Sequence, residues 1–250
     1  MKTKVRAVIK NKLAEGKKLL AILVDPDKVD EAYLKKLCSN AAELPADLFL
    51  VGGSLLTSGD LEFTISFLKK NSKIPTIIFP GSSNQISSNA DAILFLSLLS
   101  SRNPEMLIGQ QVIAAPYIKK ADIEVISTAY LLIESGKPTT ASYMSNSNPI
   151  PANKPEIAAS TALAGEYLGM DIIYLDGGSG AENPISKEMI EMVKAYTNRP
   201  LFIGGGINTI DKLRQAFKAG ADICVIGNAF ENNPNFAKQL KPLMNSINAQ

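Results

Sequence analysis

Short apolar runs alternate with longer amphipathic stretches along the whole chain. Eight of the runs read as strands: Leu19–Val24, Asp47–Val51, Thr76–Phe79, Ala92–Leu96, Val125–Ile133, Ile172–Leu175, Leu201–Ile203 and Ile223–Ile226. Most are apolar at consecutive rather than alternate positions, the pattern of strands covered on both faces. The stretches between them carry helical spacing. Glu31–Leu44 sets Leu34, Leu37, Ala41 and Leu44 on one face. Pro155 opens a helix at a position that favours proline, with Ala158, Ala162 and Tyr167 following. Pro184 begins another, apolar at Ile185, Met189, Met192 and Val193. Thr209 reads as an N-cap ahead of Leu213 and Phe217. Strands alternating with helices predict a parallel α/β sheet. Eight such units in 250 residues predict one TIM (β/α)8 barrel domain over residues 1–250, without a domain boundary, internal repeat or low-complexity tract.

Two stretches break the alternation. The segment between Phe79 and Ala92 is polar, turn-rich and without an apolar face. A regular crossover would place a helix of about 10 residues there. The segment reads either as a short irregular crossover or as a gap in the outer ring of helices that leaves an apolar groove on the barrel wall. Leu94, Phe95, Leu96, Leu98 and Leu99 beside it read as core or as the lining of a lipid path. The second stretch, Ser135–Lys154, is the longest loop-like region and follows the fifth strand, which suggests a lid or a substrate-binding loop. A further segment, Pro104–Ile118, reads as the outer face of the fourth crossover or as a contact helix.

Composition narrows the chemistry. The chain has no histidine, so acid–base work falls to carboxylates, lysine, tyrosine or cysteine. A metal site would be built from oxygen, which favours Mg2+ over Zn2+. The formal net charge of +2 gives no electrostatic case for a nucleic-acid partner. Cys38 and Cys224 read as free thiols in a reducing compartment. The apolar run Leu19–Val24 stops at Asp25, too short for a signal-peptide core or a membrane span. These points predict a cytoplasmic protein.

In a barrel of this kind the reactive residues sit at the carboxyl ends of the strands. The first strand ends in Asp25-Pro26-Asp27-Lys28, where a carboxylate can hold a hard cation and Lys28 stands beside it. The second ends in Gly52-Gly53-Ser54, whose hydroxyl can ligate a metal or a phosphate. The sixth ends in Tyr174-Leu175-Asp176-Gly177-Gly178-Ser179-Gly180, a carboxylate, a hydroxyl and three glycines directly after a buried strand. Such a turn can offer N–H groups to an anion and a base to a hydroxyl. The seventh and eighth end in Gly204-Gly205-Gly206 and Gly227-Asn228, one βα unit apart. Loops at these two places commonly bind phosphate in (β/α)8 barrels. From residues alone three readings stay open: a transferase, another phosphate-binding barrel such as an isomerase or aldolase, and a non-catalytic barrel that binds a phosphorylated lipid.

Taken in order, these motifs resemble the geranylgeranylglyceryl phosphate synthase family, which includes the heptaprenylglyceryl phosphate synthases. Phe79-Pro80-Gly81 and Asn148-Pro149-Ile150-Pro151 resemble the second of its two groups. The resemblance spans nearly the whole chain. It implies a TIM barrel with the third crossover helix replaced by a loop. It implies Mg2+-dependent transfer of a prenyl group from a prenyl diphosphate to sn-glycerol 1-phosphate; barrels of this kind often assemble as homo-oligomers, and a lipid donor makes peripheral membrane contact possible. Asp25 and Ser54 would correspond to the metal ligands. Tyr174, Leu175, Asp176, Gly177, Gly178, Ser179, Gly180, Gly205, Gly206, Gly227 and Asn228 would correspond to the glycerol phosphate contacts, with Asp176 as the base. Many members carry Glu in place of Asp176. Members of the other group carry Lys at the position of Leu23.

Overall fold

The computed structural model describes residues 4–39, 44–227 and 234–249. In chain order the elements are α1 (Val5–Ala14), β1 (Leu19–Val24), α2 (Glu31–Ser39), β2 (Leu48–Val51), α3 (Leu61–Asn71), β3 (Thr76–Ile78), β4 (Ala92–Leu98), α4 (Gln110–Ala121) and β5 (Glu124–Leu132). There follow α5 (Thr140–Met144), α6 (Pro155–Tyr167), β6 (Ile172–Asp176), α7 (Lys187–Tyr196), β7 (Leu201–Gly204), α8 (Ile210–Lys218), β8 (Ile223–Ile226) and α9 (Pro234–Asn248). The eight strands pair in sequence order, all parallel, and β8 closes on β1. This is the TIM barrel the alternation predicts.

Side-chain alternation along each strand splits the core into two layers. Inward residues such as Leu50, Leu94, Tyr130, Tyr174 and Phe202 fill the barrel. Outward residues such as Ile22, Leu131, Leu175 and Ile203 meet the helices. The helix α1 belongs to the inner layer: Val5 and Ile9 are buried with the barrel residues. The amide of Val5 donates to Glu124 at the start of β5, so α1 covers the amino-terminal mouth.

No helix lies between β3 and β4. The segment packs down instead through Gln85, Ser87 and Ala90, all buried. Phe95 on β4 stays partly exposed on the helix side, and Leu99 just past its end lies against α6, where a Cβ on Gly165 would meet it at 3.0 Å. One helix differs from expectation. Pro184 does not begin α7; the helix starts at Lys187, and Ser186 accepts a hydrogen bond from the Met189 amide at 3.2 Å. A serine oxygen that satisfies an orphan amide fixes the first turn more firmly than proline, which has none to offer. Of the four residues expected on one helical face over Glu31–Leu44, Leu34 and Leu37 are buried on α2, Leu44 is buried in a bend beyond it, and Ala41 lies outside the described residues.

A short motif recurs at the base of every even strand. Asp47, Asp91, Asp171 and Asp222 each immediately precede β2, β4, β6 and β8. Each donates its own amide to a carbonyl on the preceding odd strand: Leu20, Thr76, Ser127 and Leu201, at 2.8 to 3.0 Å. Each carboxylate accepts the amide of that same residue in return, at 2.8 to 3.1 Å. Each also pairs with a cation: Lys12, Lys69, Arg6 and, for Asp222, both Lys18 and Lys194. The repeat is one residue long, too short to show as an internal repeat in the sequence.

Removing the Asp222 carboxylate leaves the Leu201 amide and the two ammonium groups of Lys18 and Lys194 without it at once. Asp222→Ala is expected to lower unfolding free energy in urea by about 2–4 kcal/mol.

Candidate active site

The β6 and β7 turns are pressed together. A Cβ on Gly205 would lie 2.8 Å from the Gly177 backbone, and one on Gly206 would lie 2.8 Å from Asn183. Both glycines have positive φ, 83° and 69°, so sterics and backbone conformation exclude any other residue there. The Gly177 amide donates to the Gly204 carbonyl at 3.0 Å and ties the turns together. Among the described residues, the amides of Ser179, Gly180, Gly205 and Gly206 donate to no protein acceptor. Four free N–H groups on two adjoining turns are thus available to an anion. Gly227 stands clear of neighbours on its Cβ side, and Asn228 lies outside the described residues.

Asp176 is the last residue of β6 and points into the barrel mouth. Its side chain is 7 % exposed. Tyr130 on β5 donates its hydroxyl to Oδ2 at 2.7 Å, and the Gly178 amide donates to Oδ1 at 2.7 Å. Burial pushes the carboxyl above its ordinary range, and these two bonds pull it partly back. Burial first, and then the Asp176 charge, hold the Tyr130 and Tyr174 hydroxyls well above their ordinary range, so both rings stay neutral. Tyr174 stacks on Phe79 at 5.2 Å and meets Tyr130 edge-on at 5.6 Å. The aromatic cluster forms the floor beneath Asp176. Leu175 faces the helices, so it can offer the site only backbone.

The first two strands bring a second group together. The carboxylate of Asp25 lies against the turn that carries Ser54: a Cβ on Gly53 would fall 3.1 Å from Asp25 Oδ1. Asp25 Oδ1 accepts the Asp27 amide at 3.2 Å, and Lys28 Nζ lies 2.6 Å from Oδ2. Asp27 faces the other way. Its oxygens accept the amides of Thr57, Ser58 and Gly59 and the Thr57 hydroxyl, at 2.6 to 3.1 Å. Those amides, Thr57 first and then Gly59, hold its carboxyl at about 2. Asp27 is therefore saturated and fastens the β2–α3 loop to the β1 turn, while Asp25 keeps lone pairs for a cation. From the opposite side Gln85 donates to the Gly53 carbonyl at 3.2 Å and accepts the Gly81 amide at 2.9 Å.

This chemistry fits Mg2+. The donors are oxygens, and a lysine ammonium already stands on Asp25 as a cation would. Mg2+ commonly uses one or two protein oxygens and completes its shell with water and substrate phosphate.

Sequence reasoning missed Tyr130, Gln85 and the loop-fastening role of Asp27. The inward alternation Ile126, Thr128, Tyr130, Leu132 was a usable signal for Tyr130. Gln85 and Asp27 act on partners about thirty residues away, at 32 and 30 to 32 positions, and carry no local signature. Of the Ser135–Lys154 stretch, the Ser135 carbonyl accepts the Glu182 and Asn183 amides. A Cβ on Gly178 would meet the Thr139 side chain at 2.6 Å. The loop thus backs the β6 turn, with a one-turn helix, α5, capped by Thr139 and Ser142.

The chain is a (β/α)8 barrel with unpaired backbone amides next to a buried carboxylate at its carboxyl-terminal mouth. The sequence pattern of the PcrB family matches residues 11–246, and the chain belongs to that family. It is 45% identical over 241 residues to the geranylgeranylglyceryl phosphate synthase of Spirosoma linguale, covering 96% of this chain and 97% of that one. It is 45% identical to that of Thermococcus kodakarensis, covering 96% and 94%. Among solved structures it matches the (S)-3-O-geranylgeranylglyceryl phosphate synthase of Thermoplasma acidophilum in complex with sn-glycerol-1-phosphate. That match has a TM-score of 0.90 at 32% identity and covers 99% of this chain and 100% of that one. The thiamine phosphate pyrophosphorylase of Pyrococcus furiosus, at 13% identity and TM-score 0.57, shares the fold alone.

Gly205→Ala forces a side chain into the Gly177 backbone and turns the amides. Inorganic phosphate affinity, read by calorimetry, is expected to fall at least about tenfold, the equivalent of about 1.4 kcal/mol.

Proposed function

We propose that the protein transfers a geranylgeranyl or other long prenyl group from its diphosphate to the C3 hydroxyl of sn-glycerol 1-phosphate, using Mg2+. The product is an ether-lipid precursor. The observation that carries the reading is the set of four free amides at the β6 and β7 turns beside buried Asp176, in a chain whose relatives bear the synthase name.

The free amides of Ser179, Gly180, Gly205 and Gly206 take the phosphate of glycerol phosphate, with Gly227 as a further contact. Holding the phosphate holds the hydroxyl, so attack becomes effectively unimolecular. Asp176 accepts the hydroxyl proton, and Tyr130 and Gly178 keep its oxygens aimed. The hydroxyl oxygen bonds to the allylic carbon, the carbon–oxygen bond to the diphosphate breaks, and the diphosphate leaves with the electron pair. Asp25 and Ser54 would hold Mg2+, which neutralises the leaving diphosphate when bound. The helix-free gap between β3 and β4 receives the prenyl chain, with Phe95 of β4 partly exposed on the helix side. Each buried CH2 there contributes about 0.8 kcal/mol.

No lysine among the described residues is buried, so an aldolase reading finds no desolvated amine for a Schiff base. We place the protein in the cytoplasm, supported by two free cysteines. No described helix is long and apolar enough to cross a membrane. Peripheral contact with the bilayer would serve a donor of this kind. Ile108, Val112, Ile113 and Tyr117, each more than half exposed on the Pro104–Ile118 segment, support assembly with further copies. A monomer by sedimentation at micromolar concentration would refute that assembly.

Incubation with labelled geranylgeranyl diphosphate, glycerol 1-phosphate and Mg2+ is expected to yield an ether product; its absence would leave only a binding barrel. Asp176→Asn is expected to lower kcat by about 10²–10⁴. The raised Asp176 carboxyl predicts the sign of the pH profile. The base is ionised only above its folded pKa, so kcat/KM should fall on acidification at a pH above the ordinary carboxylate range. Loss of that limb in Asp176→Asn confirms the assignment.

A further inference from the structure

We propose that Lys28 is a diphosphate-binding residue that changes partners: its ammonium neutralises Asp25 before a divalent cation binds, and turns to the diphosphate once the cation has taken Asp25. The proposal rests on the metal reading above.

The geometry supplies the first partner. Lys28 Nζ lies 2.6 Å from Asp25 Oδ2, on the oxygen that carries no backbone donor. A cation on that carboxylate and the ammonium compete for one position. The pair is also easily broken. The Lys28 side chain is 46 % exposed, and exposed ion pairs add little stability.

The surroundings supply the second partner. Lys28 ends a one-turn 3-10 helix, Pro26–Lys28, that Asp25 caps and that holds buried Pro26. The four bonds to Asp27 fix this turn against the β2–α3 loop. The backbone therefore stays while the four-carbon stem swings. Asp27 offers no alternative partner, because its oxygens are already filled. A divalent ion on one carboxylate leaves a single positive charge, less than a diphosphate needs. The displaced ammonium is the nearest cation on the same turn, released by the event that brings the diphosphate in.

Two binding measurements test this without turnover. Mn2+ alone is titrated and the free ion read by electron paramagnetic resonance. Inorganic pyrophosphate is then titrated at saturating Mn2+ by calorimetry. In Lys28→Met, Mn2+ affinity is expected to rise about threefold or more, while pyrophosphate affinity falls about tenfold. In Lys28→Arg both should stay within about threefold of wild type, since the charge remains. Thermal melting of both variants is expected to match wild type and shows that the fold is kept. If either constant is unmoved in Lys28→Met, or both move the same way, the exchange is overturned while the metal site stands. If wild-type protein binds no Mn2+, the metal site falls and the exchange with it.

Discussion

The site depends on one close approach, that of the β6 turn to the β7 turn. Gly205 and Gly206 leave no room for a side chain against Gly177 and Asn183. Such contact is only available because β6 and β7 run in register to their ends, with Asp176 opposite Gly204. The same register sets Leu132 of β5 opposite Asp176 and Tyr130 opposite Tyr174, so the tyrosine hydroxyl meets the carboxylate from one strand away. Backbone N–H groups are left to an anion, and a buried carboxylate stands next to them. Both follow from strand pairing and from the absence of Cβ atoms at two positions.

The two mouths of the barrel handle polar groups in opposite ways. At the amino-terminal mouth every even strand begins with a carboxylate whose oxygens are filled by a strand amide and a cation. At the carboxyl-terminal mouth, amides and Asp25 keep unspent hydrogen-bonding capacity. A buried polar group without a partner is costly, so unfilled groups gather where a ligand enters. Asp25 and Asp27 show the contrast within one turn: four chain donors fill the latter, while the former holds one amide and the ammonium of Lys28.

Much of this was legible in the order of residues. Strands covered on both faces leave continuous apolar runs, so all eight were placed to within two residues at either end, and the helix-free crossover showed as a polar segment. The glycine turns and Asp176 stood out because a carboxylate and several glycines directly follow a buried strand. Helix α1 was overlooked although Val5, Ile9 and Leu13 repeat every four residues; its polar neighbours masked a stripe one residue wide. The start of α7 was misjudged because Pro184 is a loud local signal and Ser186 a quiet one. Tyr130 and Asp27 acquire their roles from partners on other elements, as Gln85 does through Gly53, and no short window along the chain brings those partners together.

The aspartates at the even strands carry a consequence for origins. Each clasp joins an odd strand to the even strand after it and recurs with a period of one strand pair. The barrel thus divides into four equivalent quarters, each closed on itself at its base. A chain that arose by successive duplication of one such quarter would keep this mark longest, because the clasp secures the fold and stands at the opposite end from the chemistry.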